Sequence, residues 1–425
     1  MEGWRTDKFK NQIENKSGYT WTKEQESYTP EPNSVRVLTV TNIQEKLDLA
    51  SELYLKNVKE KDKKEKTVSK NWSIAVSSNG NRKRIGNAVF IQDDTDYLFA
   101  SFLTGFRPKK DSDILPIYFY RWLSSYIVQE RISSVSEGTT GLGNLDLRYL
   151  RNMDIVYPNK TEQIAIANIL SKVDEAIVSV QKSIAAAERL KKSLMQNLLT
   201  GKMKPDGTFR TPEEFYIDIK FGKVPVGWEI KKGTEITTRI TKGQSPKWQG
   251  FDYQEEGILF VTSENIQNGY IDLSNPKYLP EEFNNKMKNS QLTKGDILIN
   301  IVGASIGRCA VYDLNEKYAN INQAVCLFRP NEENDGMFLS FYLQDETNQK
   351  RLFRTQVETA RANLSLSDFR KFKFIIPPKD EQVRISRTII QYSNEIKRLK
   401  RKTNVLERLK KSLMQNLLTG IVRTT

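Results

Sequence analysis

One 14-residue segment, ERLKKSLMQNLLTG, occurs twice in this chain of 425 residues, at 188–201 and again at 407–420. The two copies are identical at every position and begin 219 residues apart, about half of the chain length. An internal repeat of this length indicates that one structural unit has been built twice, so it has to be recognised before any local pattern is interpreted. The chain is therefore expected to form two related units with an approximate internal two-fold.

The likeness between the two halves continues upstream of the repeated segment. Without gaps, residues 144–201 correspond to residues 363–420, and Glu162-Gln163 matches Glu381-Gln382. Farther upstream the match is looser and is limited to short pairs. These are Gly3-Trp4 with Gly227-Trp228, Asn42-Ile43-Gln44 with Asn265-Ile266-Gln267, Ile85-Gly86 with Ile306-Gly307, and Phe106-Arg107-Pro108 with Phe328-Arg329-Pro330. Each half is thus a divergent globular part followed by a closely similar tail.

Both tails have the spacing of a long helix that packs along another helix. Apolar residues recur at alternating intervals of four and three, from Ile166 to Leu198 in the first tail and from Ile385 to Leu417 in the second. One heptad register held over more than four heptads is typical of a coiled coil. Each tail ends in the glycine of the repeated segment, and about 40 residues give a rod of roughly 60 Å. Two separate amphipathic helices, each lying on its own globular part, are the alternative.

The globular parts contain short β-rich runs bounded by Gly and Asp, which indicate a mixed α/β fold with much strand and loop. Strands are predicted at 35–40, 88–91, 257–261 and 296–302, and helices at 116–130 and 338–349. The mixed charges of residues 59–66 predict a solvated loop. Residues 202–227, rich in Pro, Gly and charge, predict a connector between the halves.

The composition favours an anionic partner and excludes several chemistries. Lys and Arg number 66 against 52 Asp and Glu, a formal charge of +14, which favours nucleic acid, although solubility alone is the alternative. No histidine is present, so histidine-based nucleophile systems, general bases and metal sites are excluded. The two cysteines form no disulfide framework and no metal-ligand spacing. With no apolar run of roughly 18 residues and a polar N-terminus, we expect a cytoplasmic protein.

No catalytic signature is evident in the sequence. It has no GxGxxG motif, no Walker sequence and no Asn/Asp-Pro-Pro-aromatic tetrapeptide. The segment 377–381 resembles an acidic nuclease centre only superficially, because its counterpart at 158–162 lacks the aspartate. A helix that begins there with a glutamate in its first turn explains the pattern better.

Loops that combine amides, glycine and cations are the candidates for DNA contact, since Arg and Asn match the edges of G and A in the major groove. A plain surface turn is the alternative for each loop. In the first half the candidates are Asn79, Asn81, Arg82, Lys83, Arg84, Thr139 and Thr140. In the second half they are Lys242, Gln244, Ser245, Lys247, Trp248, Ser305, Arg308, Arg361 and Asn363. Unlike loops on a repeated scaffold predict an asymmetric, two-part DNA sequence.

The whole chain resembles the specificity subunit of type I restriction-modification systems. The resemblance rests on the two Glu-Gln pairs, the two repeated segments and the domain opening at 226–229, all in the family's order. It implies two α/β target-recognition domains, each reading half of a bipartite, asymmetric DNA site. It also implies that the two long helices pack antiparallel as a coiled coil with pseudo-two-fold symmetry and set the spacer between the half-sites.

The resemblance also implies partners and cofactors. The long helices are expected to bind two modification (methyltransferase) subunits, and restriction subunits through these. The predicted partner-binding residues are Leu190, Leu194, Leu198, Leu409, Leu413 and Leu417. No catalysis, metal or cofactor is expected in this chain, because S-adenosylmethionine, ATP and Mg²⁺ belong to the partner subunits.

The resulting domain prediction has five parts. They are target-recognition domain 1 (1–157), conserved helix 1 (158–201), a connector (202–227), target-recognition domain 2 (228–376) and conserved helix 2 (377–425). The alternatives are an enzyme, namely a nuclease or methyltransferase or the specificity module of a fused one, and a coiled-coil scaffold with basic heads that bind DNA without sequence preference.

Overall fold

The computed structural model describes residues 3–136, 142–316, 318–357 and 363–424. The chain divides into two compact units, and the division falls within both long helices. Residues 1–182 and 400–425 form the first unit, and residues 183–399 form the second unit. Each unit therefore contains one globular part, the beginning of the helix that follows it, and the end of the other long helix.

The first unit is built from short strands and helices that precede the first long helix. Its strands are β1 (Arg5–Lys8), β2 (Ile13–Ser17), β3 (Glu26–Ser27), β4 (Val35–Leu38), β5 (Tyr54–Leu55), β6 (Ser73–Val76), β7 (Ser78–Asn79), β8 (Ala88–Phe90), β9 (Leu98–Phe99), β10 (Leu103–Pro108), β11 (Gly143–Asn144) and β12 (Asp154–Tyr157). Its helices are α1 (Phe9–Gln12), α2 (Glu60–Lys66), α3 (Pro116–Leu123), α4 (Tyr126–Val135), α5 (Leu147–Asn152) and the beginning of α6 (Lys160–Leu199).

The second unit repeats this plan and adds a hairpin at its start. Its strands are β13 (Phe215–Asp218), β14 (Gly222–Pro225), β15 (Glu229–Lys232), β16 (Thr237–Lys242), β17 (Ile258–Val261), β18 (Ile266–Gln267), β19 (Tyr270–Ile271), β20 (Tyr278–Leu279), β21 (Ile297–Asn300), β22 (Cys309–Val311), β23 (Ala319–Ile321), β24 (Val325–Pro330) and β25 (Lys373–Ile376). Its helices are α7 (Glu281–Lys286), α8 (Gly336–Gln344), α9 (Glu346–Val357), α10 (Leu366–Lys371) and the beginning of α11 (Lys379–Leu418).

The central sheet has the same topology in both units. The strand order is β2-β10-β6-β8 in the first unit and β16-β24-β21-β22 in the second, with antiparallel pairing throughout. Beside it, a parallel pair joins β4 to β9 in one unit and β17 to β23 in the other. Helix α3 packs on β8 and β10, where the rings of Tyr120 and Phe90 lie 5.6 Å apart, and helix α8 packs on β22, where the Cys309 thiol donates to the Ser340 carbonyl. The prediction of a repeated α/β fold is confirmed.

Both long helices form as predicted and end at the repeated glycines. Each spans 40 residues, and Gly201 and Gly420 follow with φ of 68° and 71°, the left-handed conformation that glycine adopts at helix ends. Within the first unit the beginning of α6 and the end of α11 are antiparallel, because Asp174 meets Lys410 while Glu162, twelve residues earlier, meets Arg423. In the second unit the end of α6 shares a core with the beginning of α11.

The repeated segments do not fold against the globular parts that precede them. Met414, Leu417 and Leu418 belong to the core of the first unit. Leu198 and Leu199 belong to the core of the second unit. The alternative of two independent amphipathic helices is therefore excluded for these segments, and the prediction of two antiparallel long helices is confirmed.

Three local predictions were wrong. Residues 59–66 were expected to be a loop, but α2 forms there, with Glu60 and Asp62 in its first turn and lysines in its last turn, an order that complements the helix dipole. Each helix predicted at 116–130 and 338–349 is two helices. The breaks fall at side chains that bond the backbone: Ser125 Oγ donates to the Trp122 carbonyl, and Asp345 accepts from the backbone NH of Asn348.

Candidate nucleic-acid interface

In the second unit, one end of the central sheet gathers most of the predicted DNA-binding loops. The strand register aligns Lys242 with Cys326, Cys326 with Ile299, and Ile299 with Cys309. The segments that follow β16, connect β21 to β22 and precede β24 therefore emerge at the same end. The segment after residue 362 joins them, because the Leu364 NH donates to the Ile301 carbonyl at 3.0 Å.

These segments bring together Lys242, Gln244 and Ser245 with Ser305, Arg308 and Asn363. Lys247 and Trp248 lie slightly farther along, in a 3₁₀ turn, and the Trp248 side chain is 83% exposed. An exposed indole next to exposed lysines is suited to stack on a base or pack on a sugar while cations neutralise phosphates. The geometry thus places a basic, amide-bearing surface at this end of the sheet.

Three hydrogen bonds fix the central loop of this surface. The buried Asn300 donates through Nδ2 to Ser305 Oγ at 3.0 Å and to the Ser263 carbonyl at 2.8 Å. Arg308 donates through Nη1 to Gln267 Oε1 at 3.1 Å. Because Gln267 orients this guanidinium, it belongs to the site, and the site-residue prediction did not include it. Its only signal in the sequence is the Asn-Ile-Gln triplet that occurs in both halves.

In the first unit, the same end of the central sheet carries the cluster around Arg82. Strand β6 ends at Val76 opposite Leu103, where β10 begins, and the loop 77–87 leaves the sheet there. The short pair β7 and β11 places Asn79 opposite Gly143. A Cβ on Gly143 would lie 2.5 Å from Ile85 Cδ1, so a larger residue at this position would displace the Ile85 side chain.

Within this loop, the predicted residues divide into two groups. Asn79 Oδ1 accepts from the Asn81 NH at 2.7 Å, and Asn81 Oδ1 accepts from the Lys83 NH at 3.1 Å, which holds Arg82 and Lys83 in an exposed 3₁₀ turn. Arg84 instead donates to the carbonyls of residues 40 and 43 at 2.9 and 2.7 Å. Arg84 therefore fastens a neighbouring loop, and Arg82 and Lys83 are the cations that face outward.

The loops 77–87 and 301–308 are equivalent, although their sequences differ. Each contains a glycine with positive φ, Gly86 at 87° and Gly307 at 85°. In each unit the glycine carbonyl accepts a hydrogen bond from a glutamine of the following helix pair, Gln129 at 2.9 Å and Gln349 at 3.0 Å. The fixed framework is thus shared, while the residues between the fixed points are free to differ.

Of the other predicted contacts, Thr139, Thr140 and Arg361 lie outside the described residues.

The predicted partner-binding leucines differ in exposure. Leu198 and Leu417 are buried in the cores of their units. Leu194 and Leu413 are half-buried against the same cores. The remaining two are the exposed ones, Leu190 at 47% and Leu409 at 44%. Of the six, these two offer the largest apolar surface to a partner, nearly half of each residue, and the role of all six stays a prediction.

The repeated Glu-Gln pair anchors the beginning of each long helix. Glu162 accepts from Arg423 Nε and Nη2 at 2.7 and 2.8 Å, a bidentate pair. Glu381 accepts from Arg210 Nη2 at 2.5 Å and from Trp228 Nε1 at 3.3 Å.

The glutamines make matching contacts. Gln163 and Gln382 each donate to the carbonyl of the proline five residues earlier at 2.9 Å. The motif is therefore structural, since it fastens the segment beyond one helix to the start of the other.

Both cysteines lie in the core of the second unit. Burial raises the pKa of the Cys309 thiol to about 12 and raises that of Cys326 as well, so both are inert core residues. No cluster of three or more potential metal-ligating Cys, Asp or Glu side chains occurs among the residues that the structure describes. In that same part of the chain, no helix combines the length and apolar character needed to cross a bilayer.

Comparison with known proteins agrees with the repeated architecture. The model of the type I restriction modification DNA specificity domain matches twice, at residues 2–189 and 225–408. The type I restriction enzyme MjaVIII specificity subunit of Methanocaldococcus jannaschii is 26% identical over 308 residues, 72% of this chain and 70% of that protein. The EcoBI specificity subunit of Escherichia coli is 27% identical over 323 residues, 72% of this chain and 65% of that protein.

Solved structures show the same fold. The S subunit of a type I restriction-modification system from M. genitalium has a TM-score of 0.57 at 17% identity. The match covers 97% of this chain and 96% of that chain. The HsdS subunit from Thermoanaerobacter tengcongensis has a TM-score of 0.51 at 16% identity, with 99% and 98% covered. The two matches of the family model together span most of the chain, and this protein belongs to the type I restriction-modification DNA specificity family.

Proposed function

We propose that this chain is the DNA-specificity subunit of a type I restriction-modification complex and that each unit reads one half of a bipartite, asymmetric site. The observation that carries the proposal is the matched position of two unlike loop sets. The same end of the same four-stranded sheet presents Arg82 and Lys83 in one unit and Lys242 and Arg308 in the other. A shared frame with different side chains at the reading edge is what two different half-sites require.

The partner and spacer roles of the long helices are part of the same proposal. Each helix contributes turns to both units, so a change in helix length acts on the whole molecule. We propose that the exposed Leu190 and Leu409 contribute to binding two modification subunits, and that restriction subunits join through these. Catalysis is proposed to reside in the partners, which supply the S-adenosylmethionine, ATP and Mg²⁺ sites. On this basis the purified chain alone neither methylates nor cleaves DNA.

The test uses the DNA site identified by mapping methylated adenines after coexpression with the modification subunit. Binding of the purified chain to that duplex, and to duplexes with one half-site scrambled, is measured at several salt concentrations. Lys83→Ala is expected to weaken binding through the first half-site and Arg308→Ala through the second, each about tenfold or more, as for a lost charged DNA contact. Scrambling the half-site that a variant no longer contacts should then reduce its DNA affinity little further.

Matched controls come from the opposite end of each sheet. Lys110 lies beyond the far end of β10, and Lys294 lies before β21 begins. Lys110→Ala and Lys294→Ala should leave half-site binding within about twofold, because exposed cations away from the edge contribute only to nonspecific attraction. If the losses from Lys83→Ala and Arg308→Ala fail to segregate by half-site, the assignment of one unit to each half-site is wrong.

A further inference from the structure

The first unit has an apolar groove that nothing in the described chain fills. It has a volume of about 250 Å³ and lies where the α3–α4 junction, β12 and the last turns of α11 meet. Its lining includes Trp122, Tyr126, Arg131, Val156, Met414 and Gln415. We call it the α3–α4 groove.

The corresponding place in the second unit is occupied by the chain itself. The hairpin β13–β14 packs there, with Val224 buried in the core and Phe221 half-buried against it. The Arg351 guanidinium lies 5.1 Å from the Phe221 ring and 5.1 Å from the Phe372 ring, between the two aromatic side chains. Its Nη2 also donates to the Lys373 carbonyl at 2.8 Å. The hairpin therefore seats an aromatic side chain on a guanidinium at this position.

Matching contacts establish that the two places are equivalent. Gln129 of α4 and Gln349 of α9 make the same bond to the glycine carbonyl of their units, which aligns Arg131 with Arg351. Because the repeated segments are identical, the face of α11 that carries Met414 corresponds to the same face of α6. Arg131 is exposed, and its guanidinium has no hydrogen-bond or ion-pair partner within residues 3–136, 142–316, 318–357 and 363–424. Among the described residues of the first unit, no aromatic side chain is seated on Arg131 as Phe221 is seated on Arg351.

We propose that the α3–α4 groove binds an aromatic side chain carried on an extended segment of a modification subunit. This inference rests on the proposed function, since it names a contact of the complex proposed there. The groove is continuous with the predicted partner surface, because Met414 and Gln415 follow the exposed Leu409 on the same helix, and Lys411 lies 3.9 Å from the Tyr126 ring at the rim. Trp122, Val128 and Met153 make the floor apolar, which suits an aromatic ring better than a phosphate backbone.

A second copy of this chain fits the groove less well as an occupant. The aromatic hairpin that the chain could offer is already engaged in its own second unit, where Val224 is fully buried. Releasing it would expose that core. A partner that brings its own aromatic anchor has no such cost, and aromatic anchors in desolvated pockets are typical of binding hot spots.

The first experiment is photocrosslinking in the assembled complex of full-length chain, modification subunit and DNA. p-Benzoylphenylalanine replaces Gln415, which is exposed at the groove. The expected product is a crosslink to one segment of the modification subunit that contains an aromatic residue. Crosslinks to DNA, to a second copy of this chain or to a restriction subunit, or the absence of any crosslink in an assembled complex, would overturn the proposal.

The second experiment weakens the groove and compares the two units. Ile127→Asp places a charge in the groove, and Arg131→Ala removes the cation, and each should reduce affinity for one modification subunit at least about tenfold. Native mass spectrometry should then show complexes with one modification subunit. Thr347→Asp is the matched control. Thr347 on α9 is the counterpart of Ile127 on α4, and in the second unit the hairpin already fills the corresponding groove.

The outcomes separate this inference from the proposed function. If the unaltered chain assembles with no modification subunit, the proposed function fails. If it assembles and the groove variants bind both modification subunits with unchanged affinity, only the groove proposal is wrong. Circular dichroism of each variant, together with unchanged half-site DNA binding, establishes that the first unit is folded. Alanine at the crosslinked aromatic residue of the modification subunit should reproduce the tenfold loss, and an unchanged affinity there also contradicts the proposal.

Discussion

The two units fold the same sheet but satisfy its charged positions in different ways. In the second unit, Arg329 of β24 forms a bidentate pair with the buried Asp296, with N–O distances of 2.6 and 2.8 Å. In the first unit the matching arginine, Arg107, lies 4.6 Å from the ring of Trp72, the residue in the position of Asp296. The repeat therefore preserves an arginine and its place in the sheet, but the position of Asp296 is taken by an indole in the first unit, where Arg107 pairs instead with Glu14 of β2.

Backbone contacts are what the two units share most strictly. A Cβ on Gly18 would lie 2.0 Å from the Ala100 carbonyl oxygen, and one on Gly243 would lie 1.7 Å from the Ile321 carbonyl oxygen. Both glycines follow the first strand of the central sheet. Close backbone approach tolerates no side chain, whereas a cation can be stabilised by several kinds of partner. The frame is therefore fixed by main-chain geometry, and the surface chemistry is free to diverge.

The largest expected difference between the units concerns the glutamate at the start of each long helix. Glu381 and its partner Arg210 are both buried, with side chains 13% and 8% exposed, whereas Arg423, the partner of Glu162, is 36% exposed. Glu381→Gln leaves a buried guanidinium uncompensated, and we expect it to lower the free energy of unfolding of the second unit by about 3–5 kcal/mol. Glu162→Gln should cost the first unit about 1–3 kcal/mol, because water can solvate Arg423.

Denaturant unfolding followed by hydrogen exchange in each unit measures both changes. Each effect should appear first in the unit that contains the altered residue. If the two substitutions lower the free energy of unfolding equally, then burial of the arginine does not determine the loss of stability. A control is Glu130→Gln, a fully exposed glutamate on α4, which should change neither unit measurably.

The long helices and the duplicated plan could be predicted from the sequence because they depend on regular patterns. A heptad stripe from Ile166 to Leu198 and a glycine after the last turn of each helix are local signals, and the helices span that stripe and end just before those glycines. The hairpin β13–β14 could not be recognised, because its packing depends on Phe221 and Val224 reaching a core made by distant residues. Composition alone indicated only a connector.

The candidate site was predictable in part for the same reason. Loops rich in Gly, Asn and basic residues lie at the same end of both sheets, yet the pattern could not separate Arg84, which holds neighbouring carbonyls, from the outward-facing Arg82 and Lys83. That distinction depends on contacts across 41 and 44 residues of sequence. The pairing of Arg308 with Gln267 is likewise nonlocal.

The two units should also differ in acid stability, because the first unit has a half-buried ion cluster at Asp174, where the second unit has Ser393. Asp174 accepts from Arg121 at 2.5 Å and from Lys410 at 2.7 Å, whereas its counterpart Ser393 bonds only the carbonyl of Ile389 among the described residues. Burial by itself would raise the pKa of Asp174, but the hydrogen bonds and charges of Lys410 and Arg121 outweigh it and lower the pKa below its usual value.

A lowered pKa means that the folded first unit binds the proton of Asp174 less readily than the unfolded chain does. The resulting stability is present above the unfolded pKa of about 4 and is lost as pH falls through the lower folded pKa. Asp174→Asn should therefore cost the first unit about 2 kcal/mol near pH 7, and this difference should shrink below pH 4. Unfolding measured from pH 7 to pH 3 tests this, and a difference that does not change with pH would show that the carboxylate charge contributes nothing.

The smallest expected difference concerns one lysine of the repeated segment in its two settings. Lys192 forms an exposed ion pair with Glu346 at 2.8 Å, and this hydrogen bond lowers the pKa of Glu346, whereas the matching Lys411 lies over the Tyr126 ring. Salt screens exposed ion pairs, while a lysine on an aromatic face also retains its stem packing. Lys192→Met should therefore lower Tm slightly at low ionic strength and not at 1 M salt, whereas the effect of Lys411→Met should change little with salt. If both effects vanish together as salt is added, then Lys411 is held by charge alone and the two settings are equivalent.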